Sequence, residues 1–156
     1  MSLIAKINTN ARLLEIILNR HYTNVVFIDY SAQYYLTVAE TAVPDKRAGK
    51  FVQIRNDATE YLVFSPKEFT LYHADLVERF CSDKGLKGSY NKEGKRFDIH
   101  DLVWVIVGGG RFEIDSEKRY LCLYDNSMAY GRFDPMGLKE KILSIDALSG
   151  HDVKIE

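Results

Sequence analysis

The chain has 156 residues, 46% of them hydrophobic and 28% charged, and a net charge of −1 at neutral pH. That length serves one domain with a real core, and that charge balance speaks against a general nucleic-acid binder, which carries a basic excess. No apolar run reaches the length of a membrane span and no signal peptide is visible at the start, so no membrane association is expected. Two cysteines, Cys81 and Cys122, stand far apart without zinc-type spacing. They read as buried free thiols in a reducing compartment, which makes a cytoplasmic location the default.

In chain order, Asn10 to Arg20 predicts a helix, with Leu13, Leu14, Ile16, Ile17 and Leu18 on a broad apolar face and Thr9 or Asn10 as its cap. Val25 to Tyr30 and Tyr34 to Ala39 are β-branched and aromatic, and read as strands. Pro44 to Gly49 reads as a loop, followed by a hairpin of Lys50 to Arg55 and Tyr61 to Phe64 turning at Asn56-Asp57. A helix is predicted from Leu71 to Ser82 with Thr70 as N-cap. The Gly/Lys-rich stretch Asp83 to Asp98 reads as the longest loop. Its basic residues between Lys84 and Arg96 suit a solvated surface better than an acidic partner.

Leu102 to Val107 is apolar enough for a strand covered on both faces. Phe112 to Ile114 and Tyr120 to Tyr124 predict a second hairpin about Ser116-Glu117. The last helix is expected to open with Asp134 as cap and Pro135 in its first position, and to turn Leu138, Ile142, Leu143 and Ile145 to the core. A short strand near Val153 closes the series. The pattern is α/β of the α+β kind: a single domain with a mixed β-sheet flanked by two helices, plus an N-terminal helix and strand extension.

Three segments invite a chemical reading. Gly108-Gly109-Gly110-Arg111 fits neither the P-loop nor the dinucleotide fingerprint. Three glycines at a strand end imply either a bulge or a neighbour too close for a Cβ, and taken alone the bulge is the better account. Arg111 supplies a planar fork suited to phosphate oxygens. Ser127-Met128-Ala129-Tyr130-Gly131 leaves a strand through Asp125-Asn126. It reads as a plain turn or, alternatively, as a nest of backbone N–H groups with the Ser127 hydroxyl beside it; Tyr130 fits the core. His73 lies near a predicted helix start, where the dipole disfavours imidazolium and keeps the ring fit to accept a proton. Asp75, two residues on, suits the first helical turn better than a partnership with His73. Asp98, His100 and Asp101 lie together, but strand alternation parts neighbours, so no metal site is expected.

Other phosphatase chemistries find no footing. Six residues after Cys81 comes Lys87 and six after Cys122 comes Met128, where a cysteine phosphatase needs arginine. Neither an Arg-His-Gly signature nor a Gly-x-Ser-x-Gly elbow occurs.

Tyr72-His73-Ala74-Asp75, Gly108-Gly109-Gly110-Arg111 and Ser127-Met128-Ala129-Tyr130-Gly131, in this order, resemble the protein histidine phosphatase (Janus) family. Gly49-Lys50-Phe51-Val52-Gln53-Ile54 resembles the family strand that opens with an active-site lysine, and Glu140-Lys141-Ile142 the start of its last helix. The resemblance spans about the C-terminal two-thirds, with residues 1–35 as an N-terminal extension and 36–156 as the core. It implies a protein phosphohistidine phosphatase that needs neither metal nor cofactor, acting on a phosphohistidine-containing protein with His73 as the catalytic residue. Lys50, Arg111, Ser127, Gly110 and the Ala129 N–H would then hold the phosphoryl group. Family members often carry arginine eight residues before that histidine; here Ser65 stands there, with Lys67 nearby. That departure favours an alternative, a non-catalytic phosphate- or phosphoprotein-binding module. The N-terminal extension would lengthen the sheet, cover an edge or pair two copies, the first being preferred.

Overall fold

A computed structural model describes residues 24–156, so the predicted helix at 10–20 lies outside the described residues. Among the described residues six strands form one mixed sheet, in the order β1 (Asn24–Asp29), β3 (Thr59–Pro66), β2 (Lys46–Asn56), β6 (Trp104–Asp115), β7 (Tyr120–Tyr124), β8 (Asp152–Ile155). Strand β1 lies parallel to β3, and β3 is antiparallel to β2. Strand β2 also pairs antiparallel with β6, which pairs with β7; β7 runs parallel to β8. The described part of the extension therefore lengthens the sheet, as preferred.

Alternation along the central strands divides the core into two. Phe51, Leu62, Phe64, Phe112, Leu121 and Leu123 join Leu138 and Ile142 of helix α3 (Leu138–Leu143) on one face. Val52, Ile54 and Val63 meet Ala74, Leu76, Val77, Phe80 and Cys81 of helix α2 (His73–Lys84) on the other. The sheet thus lies between two helices, each burying one apolar stripe.

Several boundaries depart from expectation. Tyr34 to Val38 is not a strand: after β1 the chain coils through a short helix α1 (Ser31–Gln33) into a π-helical turn (Tyr34–Val38). The Asp29 carboxylate accepts the Ser31 N–H at 2.9 Å, and Tyr34 packs edge-on against Phe69. This local cap and one aromatic contact outweigh β propensity in a segment whose Leu36 and Val38 stay exposed. Strand β2 already begins at Lys46, inside the predicted loop, because it is paired with β6 from Lys46↔Asp115 onward.

Thr70 does not cap α2. Its N–H is spent in a turn on the Pro66 carbonyl, and Tyr72 takes the cap position, its N–H accepted by the Asp75 carboxylate at 3.1 Å. Within the predicted 83–98 loop stands a two-stranded arm of β4 (Gly88–Tyr90) and β5 (Phe97–Ile99). Leu102 and Val103 precede β6 and are exposed, as is Val105, so this run is not covered on both faces. The last helix starts three residues later than Pro135. Asp134 caps only a turn through the Met136 N–H, and Gly137, in the left-handed region at φ 66°, divides that turn from α3. Ile145 falls beyond α3 but still packs on the core, as does Leu143.

Beneath α3 the core holds charge. Lys141 Nζ meets Glu60 Oε2 at 2.7 Å, both residues being almost fully buried, and Glu60 Oε1 accepts from Arg55 and from Gln53. Gln53 in turn accepts the Asp134 N–H at 2.7 Å, which fastens the chain entering α3 to the middle of β2. Removing one member of a buried pair leaves its partners desolvated and uncompensated. Glu60→Gln is therefore expected to lower unfolding free energy by about 3 kcal/mol in urea denaturation.

Candidate functional site

The register of β2 and β6 shifts by one residue: Gln53 pairs with Gly108, but Ile54 pairs with Ile106, leaving Val107 as a bulge. The bulge thus lies at Val107, one residue before the glycine run, whose three residues pair with β2 in regular register. The glycines also answer to close neighbours. A Cβ on Gly109 would lie 2.7 Å from the Phe51 carbonyl oxygen and 2.9 Å from His73 Cδ2. Only a bare strand lets the imidazole come so near.

His73 is the first residue of α2 and is 7% exposed. Its Nε2 donates to the Gly110 carbonyl at 2.8 Å, since a carbonyl can only accept. That bond assigns the proton of the neutral ring to Nε2 and leaves the Nδ1 lone pair free. Among the described residues Nδ1 makes no hydrogen bond. Burial first, and then the charges of Lys50 and Arg111, push the imidazole pKa below its ordinary 6.5, against an upward pull from the Gly110 bond and from Asp125.

Lys50 and Arg111 are directly opposed on neighbouring antiparallel strands. Side chains so placed share a face with Cβ atoms about 5 Å apart, and like charges there repel. Burial and the Arg111 charge together lower the Lys50 pKa. Two cations and an uncharged imidazole therefore surround one spot on the α2 side of the sheet. An anion there would relieve the repulsion.

The 127–131 segment closes on itself: Ser127 N–H donates to the Gly131 carbonyl at 3.1 Å and Gly131 N–H to the Ser127 carbonyl at 2.8 Å. The buried Ser127 hydroxyl accepts the Tyr130 N–H at 3.1 Å. The segment is therefore a built turn, and the nest reading narrows to the Met128 and Ala129 N–H groups, which donate to nothing among the described residues. Tyr130 goes to the core as expected, its hydroxyl donating to the Phe97 carbonyl at 2.7 Å and accepting the Phe97 N–H at 2.9 Å. A bond from Gly109 N–H to the Gly131 carbonyl, at 3.0 Å, holds this turn beside the glycine strand and so beside His73.

Other residues singled out in the sequence go elsewhere. Asp75 caps α2. Asp98 pairs with Arg96, His100 Nε2 meets the Ser89 hydroxyl, and Asp101 accepts the Val103 N–H, so the three turn to separate partners. Ser65 is fully buried opposite Lys50 and hydrogen-bonds Thr70, whose hydroxyl also accepts from Arg79 at 2.8 Å. Lys67 lines an open cavity of about 410 Å³ with Lys46, Arg47 and Glu68. The charges acting on His73 are those of Lys50, Arg111 and Asp125. Asp125 was not foreseen. It forms an ion pair with Arg111, Oδ2 to Nε at 3.3 Å, from a left-handed backbone at φ 67°. The Asp-Asn pair leaving β7 was its one trace in the sequence, and it signalled a turn rather than a charge.

A mixed sheet between two helices, with an imidazole and two cations gathered at a glycine strand, defines a small α+β domain. The sequence model of the Janus/Ocnus family (Ocnus) matches residues 36–146, and the chain belongs to that family. No curated protein matches the chain. Among the described residues no helix is long and apolar enough to cross a membrane.

The field at His73 has a direct readout. Its imidazole is expected to titrate below 6.5 by NMR. Lys50→Met, which removes a repelling cation, raises that value, and Asp125→Asn, which removes an attracting anion, lowers it further. Because the unfolded chain takes up this proton at higher pH than the native one, the fold also loses stability as pH falls through about 6.5.

Proposed function

We propose that this chain is a protein phosphohistidine phosphatase, a hydrolase acting on a phosphohistidine-containing protein, with His73 as the catalytic base. The observation that carries the reading is the Nε2 bond to Gly110, which leaves an unprotonated Nδ1 beside the opposed Lys50 and Arg111. The lysine and arginine would hold the phosphoryl oxygens, with the Ala129 N–H and the Ser127 hydroxyl proton as further donors. Gly110 contributes its carbonyl, which orients the imidazole, rather than a contact to phosphate.

In the reaction the oxygen of water bonds to phosphorus as the P–N bond breaks. His73 Nδ1 takes one proton from that water and passes it to the departing imidazole nitrogen; the other stays on the released phosphate. The P–N bond is labile, so positioning and charge stabilisation supply most of what is needed. Lys50 and Arg111 provide that charge from the chain itself, and the reaction is expected to run unchanged in EDTA. The two buried free thiols suit a reducing compartment such as the cytoplasm.

A second reading draws on Ser65. Where relatives bring an arginine, this site has a buried hydroxyl committed to Thr70. A site with one cation fewer would suit a non-catalytic module that binds phosphoproteins.

The deciding experiment is phosphate release from a phosphohistidine protein. His73→Ala is expected to lower the rate by roughly 10²–10⁴-fold with circular dichroism unchanged. Lys50→Met and Arg111→Ala should weaken inorganic phosphate binding in direct titration, each by about tenfold for a charge-assisted contact. Phosphate binding without hydrolysis by the wild type would overturn the enzyme in favour of the binding module.

A further inference from the structure

We propose that Asp125 sets the net charge of this site and thereby selects phosphoryl groups carried on nitrogen over those carried on oxygen. The inference rests on the reading of the site as a phosphoryl-binding centre and adds a specificity residue to it.

Asp125 is held, not free. Its backbone lies in the left-handed region, which residues other than glycine, asparagine and aspartate avoid. The Arg132 guanidinium donates to its carbonyl at 3.0 Å, and its own Oδ1 accepts the Asn126 N–H at 2.8 Å. Those bonds turn Oδ2 toward Arg111 Nε. The Arg111 and Asp125 side chains are 54% and 42% exposed, so a ligand can reach both. The carboxylate also acts on His73 and Lys50, in the sense opposite to the cations. With a neutral imidazole, Lys50 and Arg111 against Asp125 leave one net positive charge where two would stand without it.

The two bond types develop different charge at the leaving atom. A nitrogen leaving phosphorus takes up a proton as the bond breaks and departs as a neutral imidazole. An oxygen leaving phosphorus gains negative charge. A carboxylate fixed at the guanidinium opposes the second and hardly touches the first, an effect expressed in the transition state. The same charge weakens the hold on the free phosphate dianion, so product is released rather than retained.

The test compares wild type, Asp125→Asn and Asp125→Gly, each as the full chain at low salt. The readouts are kcat/KM for a phosphohistidine peptide and for p-nitrophenyl phosphate, and Kd for inorganic phosphate. Asparagine keeps the shape and tolerates the left-handed backbone, while glycine relieves any strain there. Both variants are expected to bind inorganic phosphate roughly two- to fivefold more tightly, and to shift the ester-to-phosphohistidine ratio upward by a similar factor, the range for a partly exposed ion pair. An unchanged ratio, a shift toward phosphohistidine, or variants that diverge from one another would overturn the role of charge. If the wild type hydrolyses phosphohistidine and the ratio stays unchanged, the specificity role alone falls. A wild type that neither binds phosphate nor hydrolyses either compound removes the site reading and this inference together.

Discussion

Everything at the site depends on one close approach: an imidazole ring set against a strand that has no side chain to keep it away. At Gly109 a Cβ would lie 2.9 Å from the ring, and the neighbouring Gly110 carbonyl receives the ring's Nε2 proton at 2.8 Å. That contact binds the start of α2 to the middle of the sheet, assigns the tautomer and leaves Nδ1 without a proton. The same strand carries Arg111 to its place opposite Lys50. One stretch of β6 thus orients the imidazole and supplies one of the two cations.

Holding β6 in that position takes more than the glycines. The bulge at Val107 re-aims the strand, and the 127–131 turn is joined to it through Gly109 and Gly131. On the opposite face, Gln53 secures the Asp134 backbone within a network that ends in the buried Glu60–Lys141 pair. Such a pair adds little net stability over apolar residues, but it is strongly directional, and breaking it is costly. Its position suggests a division of labour. The face beneath α3 is pinned by a buried ion pair, while the face beneath α2 gathers Lys50 and Arg111 around His73.

The electrostatics of that site are a balance rather than an accumulation. Burial, Lys50 and Arg111 all discourage the imidazolium, so they favour the neutral ring. Asp125 opposes them from the exposed rim. Ser65, buried and hydrogen-bonded to Thr70, stands opposite Lys50 on β3 and adds no charge to that balance.

Much of this was written in local sequence. Alternation in Lys50–Ile54 and Tyr61–Phe64 identifies the central hairpin, because the side-chain period of a strand is a local property. The family motifs single out His73, Lys50 and Arg111, which the fold brings to one place. The run Tyr34–Val38 departs from its strand propensity because the Asp29 cap just before it and the Phe69 ring, distant in the chain, decide its shape. The start of α3 was misread for a similar reason: Asp134 and Pro135 look like a helix opening, but Gly137 and the Gln53 bond divert them. Asp125 escaped notice because its importance lies in a charge across the sheet. The sequence by itself determined which chemistry-bearing residues exist and how most strands alternate, since both depend on residue type and short-range period. Only the tertiary structure decided which nitrogen of His73 is free, which cation faces which, and that a carboxylate stands among them, because these depend on distances between segments far apart in the chain.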